Sequence, residues 1–263
     1  MKQIMCAVAS NVEVMPGIHL MWIEAPDIAV AAQPGQFITV RCGDFTLRRP
    51  FSVHQVSSRE IALLFKVTGK GTLWLSQQQT GDRIDILGHL GRGFSIEPGA
   101  RNLLLVAGGI GIAPLVFLMQ YAVSQHQITL IHGVSTAAQL YTERSQPTAI
   151  SYQGVQFVPV TKDGSMGKKG MATDILPDFL DRADQVYACG PADMYKAMAE
   201  MSSRAKPGNL KLRQCQVSLE VRMGCGFGAC YSCTINTKKG LKQVCRDGPV
   251  FELDDIIWQE VRI

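Results

Sequence analysis

Four of the eight cysteines in this 263-residue chain, Cys225, Cys230, Cys233 and Cys245, fall within a span of 21 residues. Their order is C-x4-C-x2-C, with the fourth following after eleven residues. Thiols gathered this closely are metal ligands or disulfide partners, and this spacing matches the plant-type [2Fe–2S] ligand pattern. A two-iron cluster needs four thiolates converging on one small rhomb, with backbone N–H groups turned toward its sulfurs. The loop that supplies three of them must wrap closely, so its other residues must be small. Gly224, Gly226, Gly228 and Ala229 are small, and glycine tolerates the positive φ values such a loop uses. Lys238-Lys239-Gly240, between Thr234–Thr237 and Leu241–Val244, reads as a three-residue hairpin loop. Pairing Thr237 with Leu241 sets Cys233 opposite Cys245, at the roughly 4.5–5.5 Å between Cβ atoms of cross-strand neighbours. Those two would then share one iron, leaving Cys225 and Cys230 for the other. Structural zinc is the rival occupant, although its sets usually show two short C-x2-C knuckles. A Cys233–Cys245 disulfide would leave two free thiols in the same loop.

Four further segments could hold phosphate or an aromatic ring. Arg49-Pro50-Phe51-Ser52 offers a cation, an apolar wall and a hydroxyl, the three things a flavin asks of a protein. An ordinary strand-initiating Arg-Pro is equally compatible with it. Gly69-Lys70-Gly71-Thr72 is a glycine turn opening a helix, a natural phosphate site or an ordinary N-cap. Gly108-Gly109-Ile110-Gly111-Ile112-Ala113-Pro114 follows a buried apolar run. It is not the GxGxxG fingerprint, and no acidic residue stands where one would bind a ribose. It is still a backbone-exposing turn feeding a helix, with Pro114 suited to the first turn. Cys189-Gly190-Pro191 falls at the end of another strand and could line the same crevice. Cys189 taken alone reads first as a buried structural thiol.

The elements that must position these residues change in character near Pro98-Gly99-Ala100. Before it, short strands at Ile18–Glu24, Gln36–Arg41, Ile61–Val67 and Arg83–Leu87 are separated by turn residues, which predicts an antiparallel β-barrel with one helix at Thr72–Gln79. After it, strands at Leu103–Ala107, Ile128–His132, Val155–Val160 and Gln185–Cys189 alternate with helices at Pro114–Ser124, Ala172–Leu180 and Asp193–Arg204, which predicts a parallel α/β sheet. A last strand is expected at Leu212–Leu219. The domain division is 1–99, 100–212 and 213–263: barrel, α/β domain and small cysteine domain.

Composition narrows the classes. The net charge of +4 is dispersed, with no run of like charges, so a nucleic-acid face is not indicated. Leu103–Val123 is uncharged over 21 residues, long enough for a membrane span, but Gly108, Gly109, Gly111 and Pro114 break it. Met1–Ser10 does not read as a signal peptide, and clustered cysteines without one point to a reducing compartment, the cytoplasm.

In order, RPFS, GKGT, GGIGIAP, CGP and C-x4-C-x2-C-x11-C resemble the ferredoxin–NADP reductase superfamily, and within it the electron-transfer subunits of class B NAD-dependent dihydroorotate dehydrogenase. The likeness spans essentially the whole chain and is most specific at Arg222–Cys230 and Val244–Phe251. Thr161-Lys162-Asp163-Gly164-Ser165, with Gly167 and Gly170, also looks like that family's stretch before a sheet helix. The resemblance implies FAD at Arg49, Pro50, Phe51, Ser52, Leu64, Phe65, Lys66, Gly71 and Thr72. It implies NAD at Gly109, Gly111, Pro114, Cys189, Gly190 and Pro191, and the cluster on the four cysteines. It also implies a partner subunit carrying FMN, two copies of each, in pyrimidine biosynthesis. The eleven-residue gap favours a reductase subunit over a fused ferredoxin, whose gap is longer, and Cys225 speaks against a related branch with Asp in its place. NAD is expected over NADP because Gly133–Leu140 lacks Arg and Lys, with Arg144 and Lys162 as the cations that folding could bring near. Two other readings remain: a reductase subunit of a sulfite reductase or hydrogenase assembly, and a non-enzymatic zinc module.

Overall fold

The computed structural model describes residues 1–142, 152–204, 212 and 214–261. Nine strands and helices build the first unit: β1 (Lys2–Met15), β2 (Ile18–Glu24), α1 (Pro26–Ala31), β3 (Phe37–Arg41), β4 (Arg49–Ser52), β5 (Gln55–Val56), β6 (Glu60–Lys66), α2 (Lys70–Ser76) and β7 (Arg83–Leu90). The strands form one sheet in the order β4-β3-β7-β1-β2-β6-β5, antiparallel at every pairing. Its interior is filled by alternate residues such as Ile38, Val40, Ile61, Leu63, Ile84 and Ile86, all fully buried.

The long first strand was not foreseen. β1 is half-exposed along much of its length, so its apolar alternation is weak, and tertiary pairing with β2 and β7 makes it a strand. Helix α1 was not foreseen either; Pro26 starts it. The expected helix at Thr72–Gln79 begins two residues earlier, at Lys70. Arg49–Ser52 is itself a short strand instead of the entry to one.

The second unit contains β8 (Asn102–Gly108), α3 (Ile112–Ala122), β9 (Gln127–Val134), β10 (Val155–Thr161), β11 (Lys168–Lys169), α4 (Ala172–Ile175), α5 (Pro177–Leu180), β12 (Gln185–Cys189), α6 (Ala192–Arg204) and β13 (Gln216–Ser218). The cysteine segment adds β14 (Thr234–Thr237), β15 (Gly240–Gln243), α7 (Val244–Asp247) and β16 (Val250–Glu252). The second sheet runs β11-β10-β9-β8-β12-β13-β16, parallel except for β16 at its edge. Pro177 splits the single helix expected at Ala172–Leu180 into two short ones, because proline lacks the N–H that would continue the ladder. The strand expected at Leu212–Leu219 is confined to Gln216–Ser218. With β13 and β16 in one sheet, the cysteine segment is continuous with the α/β unit.

The uncharged run at 103–123 is a buried strand, a turn and a buried helix; among the described residues no helix is long and apolar enough to cross a membrane. Nine of the eleven residues of α3 are buried, because the helix is wedged between sheet and barrel. Leu20, Ala62 and Leu64 of the barrel share one apolar cluster with Leu105, Ile112 and Val116. On the other side, Phe37, Leu87 and Leu90 share a cluster with Cys233, Ile235, Val244 and Cys245. The barrel therefore packs against the α3 side of the sheet with one wall and against the cysteine segment with another. The segment after β7 is sewn to the second sheet by buried polar chains. Gln216 Oε1 accepts from Ser95 N at 2.9 Å, Gln185 Oε1 accepts from Glu97 N at 2.9 Å, and the Tyr187 hydroxyl donates to the Ser95 carbonyl at 2.9 Å.

Candidate functional site

The cysteine loop is wound by left-handed residues: Gly226 at φ +81°, Gly228 at +93°, and Tyr231, the one non-glycine at positive φ among the described residues, at +59°. This winding turns amides onto sulfur. Cys225 N donates to Cys230 Sγ at 3.3 Å, while Ala229 N and Cys230 N donate to Cys225 Sγ at 3.2 and 3.4 Å. Across the loop, Cys245 N donates to Cys233 Sγ at 3.4 Å.

The route to that second pair differs from the expected register. Asn236 pairs with Leu241 and Thr237 with Gly240, so the hairpin loop has two residues, Lys238-Lys239, and Cys233 faces Val244, whose N–H it accepts at 3.1 Å. The Thr237 hydroxyl closes the turn, accepting from Lys239 N at 3.1 Å and donating to the Gly240 carbonyl at 2.7 Å. The chain then enters the helical turn α7, which swings Cys245 back over Cys233. Among the described residues no three His, Cys, Asp or Glu side chains are placed to hold a single metal ion. The four cysteines stand as two pairs, the arrangement that two irons would take.

The pairs differ in exposure. Cys233 and Cys245 are buried, Cys225 is half-buried and Cys230 is exposed. The Ser232 hydroxyl and backbone, followed by contacts with Cys225, lower the Cys230 thiol to about 6, so it is ready as the thiolate that ligation needs. Burial pushes Cys245 up to about 12.

The cysteine loop rests on the barrel. A Cβ at Gly226 would stand 2.9 Å from Thr39 Cγ2 and 3.7 Å from Leu90 Cδ1. Thr39 pairs with Pro50 of β4, so the loop lies one strand from the Arg-Pro-Phe-Ser motif. The Thr39 hydroxyl is buried with no partner among the described residues, a polar atom that a bound group could satisfy.

Three of the flavin-type segments converge. A Cβ at Gly71 would meet Arg49 Nε at 3.0 Å and Cys42 Cβ at 3.6 Å, which places the start of α2 against Arg49. The Phe51 and Phe65 rings lie 5.7 Å apart, bringing β4 to the end of β6. Leu64 and Phe65 are buried there while Lys66 is exposed. Arg49 donates to the Leu47 carbonyl at 2.8 Å and sits 5.9 Å over Phe45, and among the described residues the rest of its guanidinium has no hydrogen bond. Pro50 and Ser52 are half-buried on the same strand. The Thr72 hydroxyl works as a cap: it accepts from Thr68 N at 2.9 Å and Gly69 N at 3.1 Å, and donates to the Gly69 carbonyl at 3.0 Å. The N-cap position itself is Gly69, and Thr72, already inside the helix, closes the cap from three residues on.

The glycine turn and the Cys-Gly-Pro segment pack together at the carboxyl ends of β8 and β12. A Cβ at Gly111 would fall on the Cys189 carbonyl, and one at Gly108 would meet Pro191 Cδ at 2.6 Å. Gly109, at φ +54°, has open space beside it, whereas Pro114 is buried within α3. Tyr195 ties the second segment down. Its hydroxyl accepts from Gly190 N at 2.9 Å and donates to the Ser218 carbonyl at 2.7 Å. Burial pushes the Cys189 thiol up to about 12, and it donates to the same Ser218 carbonyl at 3.6 Å. Cys189 is thus protonated at neutral pH and is no nucleophile. Lys162 is exposed beyond β10, and Arg144 lies outside the described residues.

Spacing gave no sign of His54, His132, Tyr195 or Thr39, which the fold places around these segments. His54 follows the Arg-Pro-Phe-Ser motif by two residues, its sole sequence signal.

Residues 220–257 match the iron-sulfur cluster binding domain of dihydroorotate dehydrogenase B, and residues 105–200 match the oxidoreductase NAD-binding domain. The dihydroorotate dehydrogenase B (NAD(+)) electron transfer subunit of Desulforamulus reducens is 40% identical over 94% of this chain and 95% of its own length. Its counterpart from Geobacillus sp. is 34% identical over 98% of this chain and 99% of its own. Among solved structures, an NADH-dependent reduced ferredoxin-NADP oxidoreductase superposes with a TM-score of 0.82 at 28% identity, covering 97% of this chain and 90% of that one. A ferredoxin NADP+ reductase from Neisseria gonorrhoeae with bound FAD and NADP, at 19% identity and a TM-score of 0.66 over 82% of this chain and 98% of that one, shares the fold. With the cysteine pairs, the barrel motifs and the glycine turn of an NAD-binding domain in one chain, this protein belongs to the family of dihydroorotate dehydrogenase B (NAD(+)) electron transfer subunits.

Proposed function

We propose that this chain carries electrons between an FMN-bearing dihydroorotate dehydrogenase subunit and NAD+, through a [2Fe–2S] cluster and FAD, in pyrimidine biosynthesis. When bound, these cofactors supply the redox chemistry: nicotinamide exchanges a hydride, the cluster carries single electrons, and a flavin between them handles both. The observation that carries the reading is the position of the barrel. One wall packs on the cysteine loop through Thr39 and Leu90, the other on α3, which supports a flavin on the barrel between the cluster and the nicotinamide.

The chain's own residues bind and orient. Cys225, Cys230, Cys233 and Cys245 would hold the cluster, with the amides of Cys225, Ala229, Cys230 and Cys245 directed at their sulfurs. Arg49 with Gly71 would take the flavin pyrophosphate, and Pro50, Phe51, Ser52, Leu64, Phe65 and Lys66 the ring side. Thr72 holds the helix start behind Gly71. Gly109, Gly111 and Pro114, with Cys189, Gly190 and Pro191, would take NAD. The corresponding stretches are 1–99, 100–212 and 213–263, the last joined to the second through β13 and β16, and the cytoplasm is the compartment. Two copies of this chain would assemble with two of the FMN subunit. The family relationship favours this partner over a sulfite reductase or hydrogenase assembly.

Reconstitution tests it. Anaerobically purified chain mixed with the FMN subunit should reduce NAD+ at the expense of dihydroorotate. Preparations lacking flavin and cluster absorbance, or a complex that leaves NAD+ unreduced, would overturn the reading.

A further inference from the structure

The segment Gly109–Ala113, a turn and the first two residues of α3, has side-chain donors on the carbonyls at both of its ends, and both donors are buried histidines. His132, on β9, donates from Nε2 to the Gly109 carbonyl at 3.0 Å. His54, on the barrel just beyond β4, donates from Nδ1 to the Ala113 carbonyl at 2.9 Å, and its Nε2 lies 2.9 Å from the Tyr141 hydroxyl. A carbonyl only accepts, so each imidazole must carry its proton on the nitrogen facing the turn. That choice makes His54 Nε2 an acceptor and Tyr141 its donor. Burial lowers both rings to about 4, so both are neutral at physiological pH and each has one N–H to give.

Fixing these carbonyls has different consequences at the two ends. In a trans peptide the next N–H points opposite to the carbonyl. Drawing the Gly109 carbonyl toward His132 therefore aims the Ile110 amide away from β9, in a turn where Gly109 leaves open space. Outward amides at the start of a helix are what a pyrophosphate binds. At the other end Pro114 has no N–H, so the His54 bond positions the first turn of α3 relative to the barrel. His54 is the side chain that crosses from the flavin-motif strand region to the nucleotide turn.

His132 carries a cost that a packing role would avoid. The ring is 1% exposed and its Nδ1 has no partner among the described residues. A buried acceptor left unmade is unfavourable, and an aliphatic side chain would fill the position without it.

We propose that His54 and His132 are positioning residues that clamp the nucleotide turn by its two end carbonyls. His132 sets the turn for NAD, and His54 aligns it with the flavin barrel. The inference rests on the reading of Gly109–Pro114 as the NAD site.

Amide substitutions separate donor geometry from bulk. Asn places its N–H where His Nδ1 stands, and Gln where Nε2 stands. Thus His54→Asn and His132→Gln keep the donor, whereas His54→Gln and His132→Asn do not. Calorimetric titration of NAD+ into the FAD- and cluster-loaded protein should show roughly fivefold to tenfold weaker binding for His132→Asn, the loss of one hydrogen bond. His132→Gln should stay within about threefold of the parent on the same scale. Anaerobic mixing with saturating NADH should show slower flavin bleaching for His54→Gln than for His54→Asn, with flavin content unchanged. Equal behaviour of the two amides at each position, with the parent protein binding NAD+ normally, overturns the clamp. Failure of the parent itself to bind NAD+ overturns the site reading, and the clamp with it. If an off-geometry amide variant does not fold, Tyr141→Phe removes the hydroxyl that holds the His54 proton on Nδ1 and frees the ring to carry it on Nε2 instead. Slower flavin bleaching in that variant supports the clamp, and parent-like bleaching overturns it.

Discussion

At the scale of single residues, two positions test separate sites. Gly111 has no room for a side chain, since a Cβ would land on the Cys189 carbonyl and within 2.7 Å of Gly190 N. Because the obstacle is backbone, neither neighbour can rotate aside. Gly111→Ala should lower stability by about 2 kcal/mol or more, the range for overpacking a rigid site. Denaturant midpoints measured beside Gly109→Ala, which meets open space but is strained by its φ of +54°, would separate a steric cost from a backbone one. Cys230 tests the other end. It is the exposed member of its pair, so Cys230→Ser should abolish transfer between subunits while NADH still reduces FAD. Retained inter-subunit transfer would contradict the proposed route.

At the scale of elements, the informative joint is the one between α6 and β13. Tyr195 is fully buried on α6, stacks on Trp258 at 5.1 Å, and joins Gly190 to Ser218 through its hydroxyl. One phenol thus couples the Cys-Gly-Pro turn to the strand that leads into the cysteine segment. Tyr195→Phe keeps the stacking and removes both hydrogen bonds, leaving the Gly190 amide without that partner. A loss of roughly 1–3 kcal/mol is expected, read by thermal denaturation. Flavin reduction by NADH should slow as well, because the Cys-Gly-Pro turn loosens. The cysteine hairpin teaches a second lesson. Its two strands and its glycine were legible in the sequence, but its register was not. Loops of two or three residues are both common, and the Thr237 side-chain bonds that select the shorter one leave no mark in residue spacing.

At the scale of the whole molecule, the two neutral histidines link stability to pH. Both fold with their pKa lowered from 6.5 to about 4 by burial, and the phenol of Tyr141 stands against the His54 ring. Above pH 6.5 the imidazoles are neutral in folded and unfolded chains alike, so their contribution is fully present. Between 6.5 and 4 the unfolded chain binds protons that the folded one does not, and stability falls by up to about 1.4 kcal/mol per pH unit for each histidine. Below about 4 this loss stops growing. Urea midpoints taken from pH 7.5 to 4.5 should therefore decline in the parent and decline less in a His54→Asn/His132→Gln double variant. Parallel curves would show that the histidines titrate normally.

Residue order alone pointed to the four candidate cluster ligands and to the change from antiparallel to parallel architecture. Cysteine spacing, apolar runs and glycine punctuation act locally, through backbone reach and period, so they can be read along the chain. The Leu103–Val123 run is the same case: its glycines and proline already exclude a single helix, and the structure makes it a strand and a helix. Only the tertiary structure decided what lies across the interfaces. It made β1 a strand by giving it two partners, placed Gly226 on Thr39 and Gly71 on Arg49, and brought His54 to a carbonyl 59 residues away. Such contacts depend on how sheets and loops pack in space, and packing between distant segments has no period to follow in one dimension.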